Sequence, residues 1–124
     1  MQGFQSRMIV TAMFFLFIFL SGYWLMGSKK PYNGLKLNLH KFLSLGVIAY
    51  LIVLLIDVNR VAALLPNEIL VGVISAVFFL TLVISGGLLS ALKETPAIIL
   101  VTHRVLPFLT VASTAGLFYF LLIS

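Results

Sequence analysis

The sequence predicts an all-α integral membrane protein: four transmembrane helices in an antiparallel up-down bundle, built from two repeated helical hairpins. Three observations lead there. The chain of 124 residues is 62% hydrophobic and only 9% charged, with a mean hydropathy of +1.22. No soluble domain of this size hides so much apolar surface, so the bilayer must act as the solvent. The charges cluster between four apolar stretches, near residues 8–27, 35–58, 68–92 and 97–123, each long enough to cross the hydrocarbon. The connections are short, so neighbouring helices run antiparallel, and residues 1–124 are expected to form a single four-helix transmembrane domain.

Each element has its own signals. Met8 to Gly27 carries no charge, and Tyr23 and Trp24 near its end fit an interfacial aromatic belt. The residues before it, up to Arg7, resemble a signal-peptide leader. The apolar run is too long for that, however, and no small-residue cleavage site follows, so it reads as a retained span. Ser28-Lys29-Lys30-Pro31-Tyr32-Asn33-Gly34 is a turn by composition, with Asn33 as the expected N-cap of the second helix. That helix runs to about Val58, and Asp57 and Arg60 are spaced to pair at its far end. After a short connection, Pro66-Asn67-Glu68 opens the third helix, with Glu68 favourable in a first turn. Lys93-Glu94-Thr95-Pro96 is the last turn. Thr95 is the expected N-cap and Pro96 the first residue of the fourth helix. Pro107 has no N–H to offer the carbonyl of His103, four residues earlier, and is expected to kink the helix.

Composition also excludes chemistry. The formal charge of +5 is no nucleic-acid signal here, because bases near span ends set topology or meet anionic head groups. The absence of cysteine removes disulfides, covalently attached haem, iron–sulfur clusters and thiol catalysis. Lys29, Lys30, Lys36, Lys41, Lys93 and Arg104 lie in or beside the 1–2 and 3–4 loops, whereas Arg7 and Arg60 lie at the opposite end. That imbalance puts both loops in the cytoplasm, in what is expected to be the plasma (inner) membrane of a prokaryote.

The two histidines of the chain are the candidate functional residues. His40 stands in Leu39-His40-Lys41-Phe42-Leu43 at the head of the second span, and His103 in Thr102-His103-Arg104-Val105-Leu106 at the head of the fourth. A shared frame surrounds them: Ser21-Gly22, a turn with Pro31, then His40-Lys41; and Ser85-Gly86, a turn with Pro96, then His103-Arg104. Two like-oriented hairpins related by an axis along the membrane normal would set both histidines on one side at matching depth, roughly 10–12 Å inside their helix starts.

Ionisable groups at membrane depth are costly and usually face an interior partner. A helix N-terminus disfavours the imidazolium, so both rings are expected to be neutral and able to bind iron. One b-type haem held between the hairpins by His40 and His103 meets these conditions. Lys41 and Arg104 beside the ligands, with the other bases near the loops, suit anionic propionates. Gly22 and Gly86 on the partner helices would let a flat macrocycle approach the backbone, or serve close helix packing, as would Gly72, Ala76, Gly87, Ala112 and Gly116. Ser44, Thr110 and Thr114 stand on the histidine faces, to orient a ligand or to bond their own helix. Zinc would need further ligands, and only Glu94 is near in sequence.

The Leu-His-Lys and Thr-His-Arg helix starts, with Gly22 and Gly86 on neighbouring helices, resemble the small membrane b-type cytochromes, in the broad cytochrome b561 and ferric-reductase-like sense. The resemblance implies haem b, electron transfer at a membrane, and a quinone or redox protein as partner, with a homodimer or larger membrane complex as a further expectation. Cytochrome b561 proteins carry two haems; two histidines allow one here, so passage of electrons across the bilayer would need a quinone, a dimer or another subunit. The alternative expectation is a cofactor-free accessory or assembly subunit, with interfacial histidines, packing glycines and topological bases.

Overall fold

The computed structural model describes residues 2–28 and 34–124. The expected turn residues Lys29, Lys30, Pro31 and Tyr32, and the expected cap Asn33, lie outside the described residues. The protein is all-α, with four helices among the described residues: α1 (Gln2–Met26), α2 (Gly34–Val61), α3 (Pro66–Ala91) and α4 (Ala97–Ile123). All four are long and apolar enough to cross a membrane, which makes the chain a multi-pass membrane protein. Helices of 25 to 28 residues measure about 38–42 Å at the α-helical rise, against about 30 Å of hydrocarbon. α1 and α2 continue beyond the apolar runs that mark them in the sequence: α1 begins six residues before its uncharged stretch and α2 ends at Val61, whereas α4 matches its run.

The chain divides into two compact units, residues 1–63 and 64–124. Each is a helical hairpin: α1 packs on α2, and α3 on α4. Within the first hairpin, Val47, Leu51 and Leu54 of α2 are buried, along with Thr11, Ser21 and Leu25 of α1. Phe14 packs over Gly46, where an added Cβ would stand 3.2 Å from the ring's Cε1. Phe14 also meets Tyr50, ring centroids 5.9 Å apart. At the open end, Arg7 donates to Asp57 at 3.1 Å, while the expected partner Arg60 stands farther off at 3.9 Å.

The second hairpin buries Thr110, Thr114, Leu117 and Phe118 of α4 with Ser75 and Ser85 of α3. The buried positions fall in one register in both hairpins. Thr11 and Ser21 correspond to Ser75 and Ser85, each 64 residues on; Val47, Leu51 and Leu54 correspond to Thr110, Thr114 and Leu117, each 63 residues on. The second interface is the more polar. Its hydroxyls are satisfied locally: Thr110 donates to the Leu106 carbonyl at 2.9 Å, Thr114 to the Thr110 carbonyl at 2.8 Å, and Ser75 to Ser113 Oγ across the hairpin at 2.9 Å. Such bonds let hydroxyls sit where no water reaches.

One helix start differs from expectation. The fourth helix begins at Ala97, with Pro96 rather than Thr95 at the cap position and no side-chain hydrogen bond closing it. The Pro96 carbonyl instead accepts from the Ile99 and Leu100 N–H groups. Proline's fixed φ and missing N–H suit either place at a helix start, so the sequence signal was off by one residue. At α3, Glu68 does more than complement the dipole: its Oε2 accepts the Leu65 N–H at 2.8 Å. Of the glycines expected to serve helix packing, Gly116 has a neighbour, Val71 at 3.9 Å, whereas nothing lies within 4 Å of a Cβ built on Gly72 or Gly87. Ala76 and Ala112 are exposed.

Candidate functional site: a histidine seated on serine and glycine in each hairpin

His40 is the seventh residue of α2 and His103 the seventh of α4, so each imidazole starts about 9 Å inside its helix. That is slightly less than the roughly 10–12 Å expected, and the two depths are equal because α4 starts at Ala97. Each ring turns onto the other helix of its own hairpin, where it meets the Ser-Gly pair.

In the first hairpin, His40 Nδ1 lies 2.9 Å from Ser21 Oγ. In the second, His103 Nδ1 lies 2.8 Å from Ser85 Oγ. Both serines are buried, at 5% and 6% exposure, whereas each histidine keeps part of its surface accessible. Both serine hydroxyls also touch a carbonyl one turn earlier on their own helix, Ile18 at 3.0 Å and Leu82 at 3.2 Å.

The glycines next to these serines have a specific use. A Cβ built on Gly22 would stand 3.1 Å from His40 Cε1, and one on Gly86 only 2.9 Å from His103 Cε1. Real Cβ atoms essentially never come within 3.0 Å of another heavy atom. The space left by each missing side chain is thus occupied by the imidazole of the same hairpin. Gly22 and Gly86 seat the histidine directly, a role the sequence did not disclose.

The other candidates separate from this contact. Lys41 and Arg104, one residue after the histidines, are exposed and turned about 100° around their helices from them. Lys36 is held by the end of α1: its Nζ stands 4.4 Å from the Trp24 ring centroid and donates to Ser28 Oγ at 3.3 Å. Ser44 donates to the His40 carbonyl at 2.8 Å, and so bonds its own helix, as Thr110 and Thr114 do. Position 44 matches position 107 in the hairpin register. One hairpin therefore adds a side-chain donor to the histidine carbonyl where the other, with Pro107, removes a backbone donor.

The serines are the functional residues that sequence reasoning missed. They stood inside the Ser-Gly frame, but without a role. Their separations from the histidines, 19 and 18 residues, were the available signal. In the second hairpin, a helix end, the short 92–96 connection and two helical turns fill that interval, which brings the residues opposite each other.

Fold and site together define a multi-pass membrane protein that presents one serine-anchored imidazole from each of two hairpins. No family model matches the chain, and no characterised protein or solved structure is significantly similar to it.

Proposed function

We propose that the protein is a membrane electron-transfer cytochrome that holds one b-type haem through His40 and His103. One observation supports this above the rest: both hairpins build the same Ser–Gly–His contact around a histidine. The donor set fits the cofactor. Each ring has Nδ1 engaged by a hydroxyl, and a neutral imidazole anchored at one nitrogen is the usual form of a haem-ligating histidine. An interfacial histidine with no further duty would gain more by extending to water than by displacing a side chain from the facing helix.

His40 and His103 would be the axial ligands. Lys41 and Arg104, on the exposed flanks of the same turns, would meet the propionates. Gly22 and Gly86 would fix where each ring stands. When bound, the haem supplies a one-electron couple, whose potential the protein sets through its ligands, burial and nearby positive charge. The partner would be a quinone or a redox protein, as in the b561-like and ferric-reductase-like cytochromes the helix starts resemble. With one haem near one face, transfer across the bilayer would need a further carrier, a second copy or another subunit. The bases at the histidine end favour a cytoplasmic placement in a prokaryotic inner membrane.

The test is an optical spectrum of detergent-purified protein expressed with ample haem, oxidised and then reduced with dithionite. The expected result is a sharp Soret band with resolved α and β bands on reduction, abolished or strongly weakened by either His40→Ala or His103→Ala. A folded, colourless protein that refuses added haem would sink this reading and favour a cofactor-free accessory subunit.

A further inference from the structure

We infer that Ser21 and Ser85 are positioning residues that fix the tautomer of the two histidines, holding the proton on Nδ1 and the lone pair on Nε2. A serine hydroxyl has one proton to give and lone pairs to receive with. Ser21 Oγ has two close neighbours, the Ile18 carbonyl at 3.0 Å and His40 Nδ1 at 2.9 Å. If the hydroxyl proton went to Nδ1, the serine oxygen would face the carbonyl oxygen with no hydrogen between them. Only one arrangement satisfies both contacts: Ser21 donates to Ile18, and His40 Nδ1–H donates to Ser21. The same holds for Ser85 between the Leu82 carbonyl at 3.2 Å and His103 Nδ1 at 2.8 Å.

Geometry reinforces the choice. Gly22 and Gly86 admit the Cε1 edge of each ring against the partner helix, and a ring turned by 180° would put the Cδ2 carbon where Nδ1 meets the serine, losing that hydrogen bond. The buried serine then accepts from a fixed nitrogen, in a setting with no competing water. The outcome is two neutral imidazoles prepared identically, each with Nε2 as its ligating atom. The identity of the ligand, haem iron, rests on the cytochrome reading; the tautomer does not. Toward iron, an acceptor on Nδ1–H makes the imidazole a stronger donor, and loss of such outer contacts typically weakens metal binding about 10- to 100-fold.

The experiment has two arms. In the first, haem-free protein carrying 15N-histidine is studied by NMR in detergent at neutral pH, as wild type, Ser21→Ala and Ser85→Ala. Both wild-type rings should show a protonated Nδ1 and an unprotonated Nε2. Each alanine variant should move its own histidine toward the Nε2–H form and leave the other unchanged. An Nε2–H signal from either wild-type ring, or tautomers indifferent to the serines, overturns the inference. The wild-type spectrum decides even if a variant fails to fold. In the second arm, haem is titrated into the same proteins and the midpoint potential measured. Each serine variant should bind roughly 10-fold or more weakly and show a raised potential, because a poorer donor stabilises ferric iron less. Wild-type affinity and potential in both variants would overturn the serines' role toward iron. Nδ1–H rings in a protein that takes no haem would support the tautomer and overturn the cytochrome reading alone.

Discussion

A single methyl group separates the two glycines from alanine, and its effect differs between them. Replacing glycine by alanine inside a helix gains roughly 1 kcal/mol of propensity. Overfilling a packed contact costs about 1–3 kcal/mol. At Gly22 the added Cβ would meet His40 Cε1 at 3.1 Å, a clash that a shift of a few tenths of an ångström relieves. At Gly86 the distance is 2.9 Å, inside the range that real contacts avoid. Gly22→Ala should therefore be near neutral in thermal stability, and Gly86→Ala the more destabilising, by up to about 2 kcal/mol after the helical gain is subtracted. Melting curves of the two variants in one detergent check the order; equal losses would mean that the imidazole seats are not what constrains these glycines. The sequence made the glycines visible as a repeated pair but left their purpose open between packing and cofactor approach. Which atom fills the gap depends on the rotamer of a residue 17 or 18 positions away, and neither periodicity nor composition encodes that.

At the level of the element, helix identity was readable and helix ends were not. Long uncharged runs require helix in a bilayer, where every backbone group must be satisfied within its own segment. The ends are decided by single hydrogen bonds, as Thr95 and Glu68 show in opposite ways. Thr95 has the composition of a cap and yet Pro96 holds that position, whereas Glu68, anticipated only as a favourable charge, bonds the Leu65 N–H. Glu68 is 3% exposed, and its Oε1 has no hydrogen-bond partner among the described residues. Glu68→Gln keeps an acceptor for Leu65 and removes a charge, so it should preserve or raise stability. Glu68→Ala abandons the N–H and should cost about 0.5–2 kcal/mol. Thermal unfolding of both variants is the check, and alanine matching glutamine would show the cap to be idle. The Arg7–Asp57 pair, 50 residues apart in the chain, carries a smaller expectation. Both side chains are 37% exposed, and such pairs contribute about 0.2–1 kcal/mol, less in high salt. A double-mutant cycle on Arg7→Ala and Asp57→Ala should return a coupling in that range.

At the scale of the whole molecule, the resemblance between the halves was legible because it joins uncommon residues in order: serine, glycine, a proline-bearing turn, histidine, base. What the sequence concealed is that the resemblance extends to the buried register, where valine and leucine in one hairpin answer threonines in the other. Apolar and hydroxyl side chains exchange there because a threonine that bonds its own helix presents a largely apolar surface to its neighbour. The orientation of the chain in its membrane is a separate matter, governed by charge rather than packing. Six bases lie in or beside the 1–2 and 3–4 loops and two at the opposite end, so both loops are expected to remain in the cytoplasm. The absence of cysteine makes this directly measurable. Single cysteines at Ser28, Lys93 and Ala63 can be labelled in intact cells with a membrane-impermeant maleimide, and again after lysis. Ala63→Cys should react in intact cells, whereas Ser28→Cys and Lys93→Cys should react only after lysis. The reverse pattern would place the histidine end outside. Because Lys41 and Arg104 are counted both as topological bases and as propionate partners, the variants Lys41→Gln and Arg104→Gln separate the two duties. If the remaining four bases suffice for orientation, the labelling pattern will stand while haem affinity falls. If the pattern inverts instead, these two bases act on topology, and their place beside the histidines loses its weight as evidence for a haem.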